Sequence, residues 1–372
     1  MDWSKLNEDV IAGRSDGRII WQPRIGCWYD DKIFAGTPLP EGYEGLSLPD
    51  IFRKLGCSDR LYNWFNPCFK RIEHPSVTFT EKNINETDYQ LTISTPVGVQ
   101  IAVFRRTLSS PHALTLKWEV ETEEELKTAA WREENASWEW DNSHYEQSLK
   151  LVGDLGAPCM YMPRMNIQSL YIEKMGVMNS VYALMDWPDT VHAYFKALEQ
   201  NHDLLIDIIN QSPINNINFG ENIHSGTLPP DLFLKYHLPT CQHRCEKLHT
   251  AGKFVYSHWD GDCKPLLPYA RETGLDGIEA ITPLPQGDVT LDEMKAGLGD
   301  DLFLLDGISA VLFDEEYPLD QLIDQTKKVI NLFAPKLILG ISDEISSTGN
   351  IERVKIVGNI VEEYNKSQGV GN

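Results

Sequence analysis

Residues 254–268 read FVYSHWDGDCKPLLP. Phe254, Val255 and Tyr256 form the apolar end of a buried strand. Ser257 to Cys263 then place a histidine, two aspartates and a cysteine around one glycine, and an apolar helix begins near Pro265 and Pro268. Metal-capable groups at the tip of a buried strand, followed at once by a helix, are expected where a parallel sheet carries its chemistry on strand exits.

The same unit recurs on both sides of this stretch. Helix Asp189–Ile209 precedes strand Asn216–Phe219, and helix Pro230–Thr250 precedes strand Phe254–Ser257. Helix Leu266–Thr273 precedes strand Gly277–Ala280, and helix Leu291–Leu298 precedes strand Leu302–Leu305. Helix Leu319–Phe333 precedes strand Lys336–Leu339, and helix Ile351–Tyr364 follows. Short apolar strands alternating with amphipathic helices predict a parallel sheet. This many successive units favour a (β/α)8 barrel over an open sheet. No Gly-x-Gly-x-x-Gly follows any strand, which removes the best signal for a dinucleotide-binding sheet.

Residues 1–150 read differently. They are rich in Trp, Tyr, Gly and Pro, and Tyr89–Ile93, Val99–Phe104 and Ala113–Trp118 look like strands, with a Pro96-Val97-Gly98 turn between the first two. The expectation is an N-terminal extension with an antiparallel sheet, followed by the charged helix Glu121–Glu134 and docked on a barrel spanning 151–372. No low-complexity linker separates the two.

Of the 372 residues, 42% are hydrophobic and 24% charged, the balance of a soluble globular protein. A net charge of −22 repels nucleic acid and anionic membrane surfaces. No run of eighteen apolar residues is present, and the start, MDWSKLNEDVIAGRSDGR, has no signal-peptide core. Seven cysteines at scattered spacings do not make a disulfide framework. A cytoplasmic enzyme with neither a nucleic-acid nor a membrane partner is expected; a homodimer is an open alternative.

In a barrel the active site lies at the C-terminal ends of the strands. Glu221, Asn222 and His224 follow one strand; His258, Asp260 and Asp262 follow the next. Glu279, Asp306, Asp343 and Glu344 mark later exits. Glu221 and His258, at neighbouring exits, are the leading pair, either as Zn²⁺ ligands or as a metal-free polar rim. Asp260 either ligates or orients His258, or serves only the Asp-Gly turn. Asp262 is read as a helix N-cap or a solvated group. Cys241 and Cys245 share a helix face and read better as buried packing than as a metal motif, and Cys263 as a packed thiol. His237 precedes Leu238-Pro239, where a kink either turns it toward the mouth or leaves it at the surface. Trp28 and Tyr29, together with Met160 and Tyr161, are read as core or as substrate-binding surface; His224 and Asp306 join the substrate-binding candidates.

The second half resembles the uroporphyrinogen decarboxylase superfamily, which includes corrinoid-linked methyltransferases. The resemblance rests on SGTLPPDLFLKYHLP, on LHTAGKFVYSHWDGDCKPLLPYARETGLDGIEAI, on LFDEEYPLDQLIDQ and on KLILGISDEISSTGNIERV. The family's His-x-Cys-Gly stands here as His258-Trp259-Asp260-Gly261. The decarboxylases' arginine-rich N-terminal motif is reduced to Arg24 within WQPRIGCWYDD, too little to hold many carboxylates. The methyltransferases' first zinc cysteine is replaced by Asp260, and their later cysteine falls near Gly340. In a Glu…Glu…His zinc pattern of O-demethylase methyltransferases, Glu221 and His258 take the outer places and His237 stands where the middle Glu would fall, with the first gap one residue longer. The resemblance thus implies a zinc-dependent methyltransferase that moves a methyl group from a small methoxylated donor to the cobalt of a separate corrinoid protein. Asp260 or Glu344 would be the catalytic acid or orienting group. The chain lacks Asp-x-His-x-x-Gly, so the cobalamin would come on that partner. A metal-independent decarboxylase-like lyase and a non-catalytic barrel are the alternatives.

Overall fold

A computed structural model describes residues 2–368. Its described strands are, in chain order, β1 (Ile20–Trp21), β2 (Phe69–Ile72), β3 (Thr78–Asn83), β4 (Asp88–Ser94), β5 (Val99–Arg105), β6 (Leu114–Lys117), β7 (Ser137–Trp140), β8 (Cys159–Met162), β9 (Asn216–Ile223), β10 (Phe254–Trp259), β11 (Gly277–Glu279), β12 (Phe303–Ser309) and β13 (Leu337–Ser342). Seven of them form one curved parallel sheet in the order β1-β13-β12-β11-β10-β9-β8. Strands β3 to β6 form an antiparallel sheet, and β2 pairs with β7. The architecture is a TIM-barrel-like α/β fold with an extra antiparallel sheet. β1 comes from the first 150 residues, so that region supplies part of the barrel itself.

Among the described strands, none joins β1 to β8. The segment Cys57–Arg60 occupies that eighth place. Ser58 N–H donates to Trp21 O at 2.9 Å, and Asp59 N–H donates to Leu155 O at 2.8 Å. The Gln22 side chain donates to Asp59 O at 3.1 Å. Gly156 makes the close approach possible, since a Cβ there would lie 2.3 Å from Asp59 O. These bonds satisfy backbone groups that two sheet edges would otherwise leave bare.

Strand parity sorts the residues. On β10, Phe254, Tyr256 and His258 face the barrel interior, while Val255 and Trp259 pack outward against helices. The lower interior is a small apolar cluster of Ile20, Phe254, Tyr256, Phe303, Leu305 and Ile338, closed by Leu6 and Val10 of helix Trp3–Ile11. The much larger core lies between the sheet and the outer helices.

Two expected helices differ from their sequence reading. The stretch 230–249 is helical throughout, but a π turn, Phe233–His237, interrupts it between Pro230–Leu232 and Leu238–His249. Pro239 has no N–H to offer to residue 235, and the widened turn absorbs the loss. Lys264–Glu272 is a 3₁₀ helix, because Pro265 and Pro268 cannot donate along it. Its start is held by Asp288, which accepts from the N–H groups of Cys263 and Lys264 at 3.0 and 3.1 Å. Asp262 is therefore not the cap; it is exposed, the solvated alternative of its reading.

The seam gives a direct test. Gly156→Val should destabilise the fold by about 1–3 kcal/mol through overpacking against Asp59. Urea unfolding would show the lowered midpoint; an unchanged midpoint would mean that Cys57–Arg60 does not close the barrel.

Candidate active site at the barrel mouth

Above the apolar cluster lies a layer of buried charge. Arg60, carried in by the closing segment, forms ion pairs with Glu279 and with Asp306, the latter at 2.8 Å, and its Nε donates to Gln22 Oε1 at 3.1 Å. Asp306 would point outward by the parity that puts Phe303 and Leu305 inside. Its left-handed φ of 76°, followed by Gly307 at 103°, turns the carboxylate inward. Gly340 makes room: a Cβ there would sit 2.1 Å from Asp306 Oδ1. A cysteine at this position would collide with the carboxylate.

Glu279 is fully buried. It accepts from Asn218 Nδ2 at 2.6 Å and from the Tyr161 hydroxyl at 3.3 Å. Burial opposes its charge, but Arg60, Arg24 and His258 together hold it well below the usual carboxylate range. Asp306 goes the other way: burial pushes it up despite Arg60. One arginine between two acids leaves Glu279 ionised and Asp306 the easier of the two to protonate.

His258 Nδ1 lies 2.9 Å from Glu279 Oε2 and 3.2 Å from Arg24 Nη1. A guanidinium only donates and a carboxylate only accepts, so one nitrogen cannot bond both. With Glu279 ionised, Nδ1 carries the proton and donates to it. The lone pair then rests on Nε2, 3.8 Å from Asp343 Oδ1. One ring nitrogen of His258 and one carboxylate oxygen each of Asp260 and Asp343 lie within 4.8 Å of one another. Arg24 reaches Asp343 Oδ1 at 2.6 Å, but off the hydrogen-bond axis, so this buried oxygen has no hydrogen-bond partner. Burial raises Asp343 against the pull of Arg24 and His258. Glu344 accepts from Cys27 N–H at 2.8 Å and pairs with Arg24 at 3.4 Å. Burial opposes its charge, yet these two partners keep it below its ordinary value.

A cavity of about 370 Å³ opens over these groups, its lining including Arg24, Tyr161, Met162, Pro163, Arg164, Asn222, His258 and Asp343. Tyr161 stacks on Tyr62 with ring centroids 4.1 Å apart. A larger cavity, about 670 Å³, lies outside the sheet between helix Trp3–Ile11 and helix Ile351–Ser367, away from these charged groups.

The expected Glu221–His258 pair does not form. On β9, Asn218, Gly220 and Asn222 face the interior, and Glu221 faces the helices. Its carboxylate accepts from Met165 N–H at 3.0 Å, and burial raises it to about 7, against the pull of Arg244 on helix Leu238–His249. His237 lies in that outer layer too. It is fully buried beside Phe233, with neither ring nitrogen bonded, and burial lowers it to about 3. It is neither at the mouth nor on the surface. Cys241, Cys245 and Cys263 are buried free thiols.

The substrate-binding candidates divide. Tyr161 faces the cavity, but Met160, one residue earlier, is buried on the other face, and Met162 lines the cavity in its place. Trp28 is core, its Nε1 donating to Gly349 O at 3.1 Å, and the Tyr29 hydroxyl donates to Leu46 O at 3.3 Å. His224 folds over its own loop, with Nδ1 accepting from Gly226 N–H at 2.9 Å. Asp306 lies beneath the site, wholly buried on Arg60. Glu279 and Asp343 stand at the strand exits where the sequence placed them, while the pairing of Arg60 with Glu279 and Asp306 has no counterpart in the sequence reading.

No family model matches the chain, and no curated protein matches it. Among solved structures, the chain is similar to a methyltransferase from Methanosarcina mazei, with TM-score 0.58 and 12% identity over 96% of this chain and 97% of that one. It also matches a B12-independent methionine synthase from Shewanella sp. W3-18-1, with TM-score 0.43 and 10% identity over 86% of each chain. At these identities the first likeness establishes a shared fold, and the second carries nothing further.

Two outcomes follow. Arg60→Met removes the one cation that, among the described residues, forms ion pairs with both Glu279 and Asp306, and should cost about 3–5 kcal/mol. Urea unfolding measures it, and a loss under 1 kcal/mol would mean that the charge layer is wet. Glu221 keeps a proton in the fold that the unfolded chain loses near its ordinary 4.5. Its contribution to stability therefore falls as pH rises from about 4.5 to about 7. Glu221→Gln removes that contribution, leaving those of Asp59 and Asp306, and should be more stable than wild type above pH 7, by at most ~3 kcal/mol. A Glu221→Gln chain that instead lost a bound metal would restore Glu221 as a ligand.

Proposed function

We propose that the chain is a metal-dependent methyltransferase that takes a methyl group from a small methoxylated donor and passes it to the cobalt of a separate corrinoid protein. The observation that carries this reading is the convergence of His258, Asp260 and Asp343, of which His258 and Asp343 line a cavity sized for a small donor. Zinc fits these residues. Glu279 fixes the tautomer that frees His258 Nε2, a carboxylate–histidine arrangement typical of metal ligands, and Asp343 Oδ1 is a buried acceptor without a hydrogen-bond partner. The donor set is one nitrogen and two hard oxygens, with no thiolate, which suits an oxygen leaving group better than a sulfur one. A bound Zn²⁺ supplies Lewis acidity toward such an oxygen.

The chain's own residues do the rest. Tyr161, Met162 and Pro163 give the donor an apolar wall, and Tyr161 holds its hydroxyl toward Glu279 beneath it. Arg24 holds Asp343 and Glu344 in place. Glu344, kept ionised by Arg24, orients that arginine and is a poor proton donor. Asp260 acts as a ligand in this reading. The lyase alternative needs Arg24 or Arg164 free for a substrate carboxylate; Arg24 is shared among Asp306, Asp343 and Glu344, and Arg164, which lines the cavity, pairs with Glu173 at 3.2 Å.

The test is metal content together with cobalt methylation. Purified protein should hold about one zinc per chain and give methyl-cobalt absorbance when mixed with a cob(I)alamin protein and methoxylated donors. His258→Ala and Asp343→Asn should each lower metal affinity 10-fold or more and abolish transfer. Full metal content in both variants would remove the site. A metal-loaded protein that methylates no corrinoid would remove the reaction.

A further inference from the structure

Helix Gly176–Asp186 follows the segment that carries Arg164 and Glu173 past the mouth. One face is built of small buried residues, Gly176, Ser180 and Ala183, and a Cβ at Gly176 would lie 2.6 Å from Trp118 Nε1. The helix is thus seated tightly. Its other face is apolar and bare: Val177, Met178, Val181, Tyr182 and Met185 are all exposed, Met178 by 70% and Met185 by 73%. From Gly176 to Met185 there is no charged residue, in a chain that is 24% charged. A helix apolar on both faces is a buried helix. As it stands this one lacks its cover.

We propose that the cover is the same helix of a second copy, in an isologous dimer. Three features select a copy over a different protein. Permanent dimer interfaces are apolar and poor in charge, whereas a partner that must leave after each turnover meets a polar, charged surface. An acidic chain of net charge −22 meets its own copy best where few acids are juxtaposed, and this face has none between the exposed Glu173 and Asp186 that bound it. A two-fold axis lays Met178 and Met185 on themselves or each other, and methionine adapts readily to such self-packing. The dimer would put a second chain beside each mouth, close to Arg164 and Glu173. The inference does not depend on the proposed reaction.

Light scattering on size-separated protein tests it. Wild type should run at twice the chain mass. Met178→Glu/Met185→Glu, with unchanged circular dichroism, should run at the chain mass. Tyr182→Lys, a single change at a residue 58% exposed, is the second variant should the first fail to fold. Wild type at the chain mass at every concentration overturns the proposal. So does a folded variant that stays dimeric, or a monomeric wild type whose helix is covered only when a corrinoid protein is added.

Discussion

The buried guanidinium of Arg60 is the interaction on which the rest depends. It enters the barrel on the one segment that is not a regular strand, and it meets carboxylates from β11 and β12. Unpaired, two such acids would be intolerable in this layer. Closing the barrel and neutralising its charge are therefore one event. The influence passes upward: an ionised Glu279 sets the proton on His258, and the proton on His258 decides which nitrogen faces the cavity.

Much of this was legible in the sequence and some was not. The strand–helix rhythm from Asn216 onward is written in the apolar runs, and the observed elements follow it closely. His258, Asp260 and Tyr161 come to the mouth because residues beside a strand tip have few other places to go. Glu221 lies on the helix side of β9, where it accepts from Met165 N–H and feels Arg244. The pairing of β9 with β10 shifts register between Phe219 and Ile223, an irregularity that no alternation of apolar and polar residues announces. Arg60 and Arg24 carry no local signature: each is one arginine in an irregular stretch, and only tertiary pairing gives it meaning. The eighth barrel position is equally silent, because Cys57–Arg60 has no alternating pattern.

Strain gathers where the chemistry would be. Asn222, Ala280 and Asp306 are non-glycine residues in the left-handed region, at φ 52°, 64° and 76°, and each lies in or just after a barrel strand. Such conformations cost about 1–3 kcal/mol apiece and persist only where the surroundings enforce them. At Asp306 the return is plain, since the twist delivers a carboxylate to Arg60 that ordinary pleating would have sent outward. Asn222 lines the cavity and accepts from Arg164 at 3.0 Å.

Helix Trp3–Ile11 stoppers the barrel from below with Leu6 and Val10. Beneath the charge layer, this apolar cluster and the buried, hydrogen-bonded Asn7, Gln22 and Ser58 separate Arg60 and Glu279 from bulk solvent. Drawing that cork would admit water to the floor of the active site, raise the local dielectric and slacken the hold of Glu279 on His258. A peptide far from the mouth thereby helps to govern the acid–base character of the residues at it.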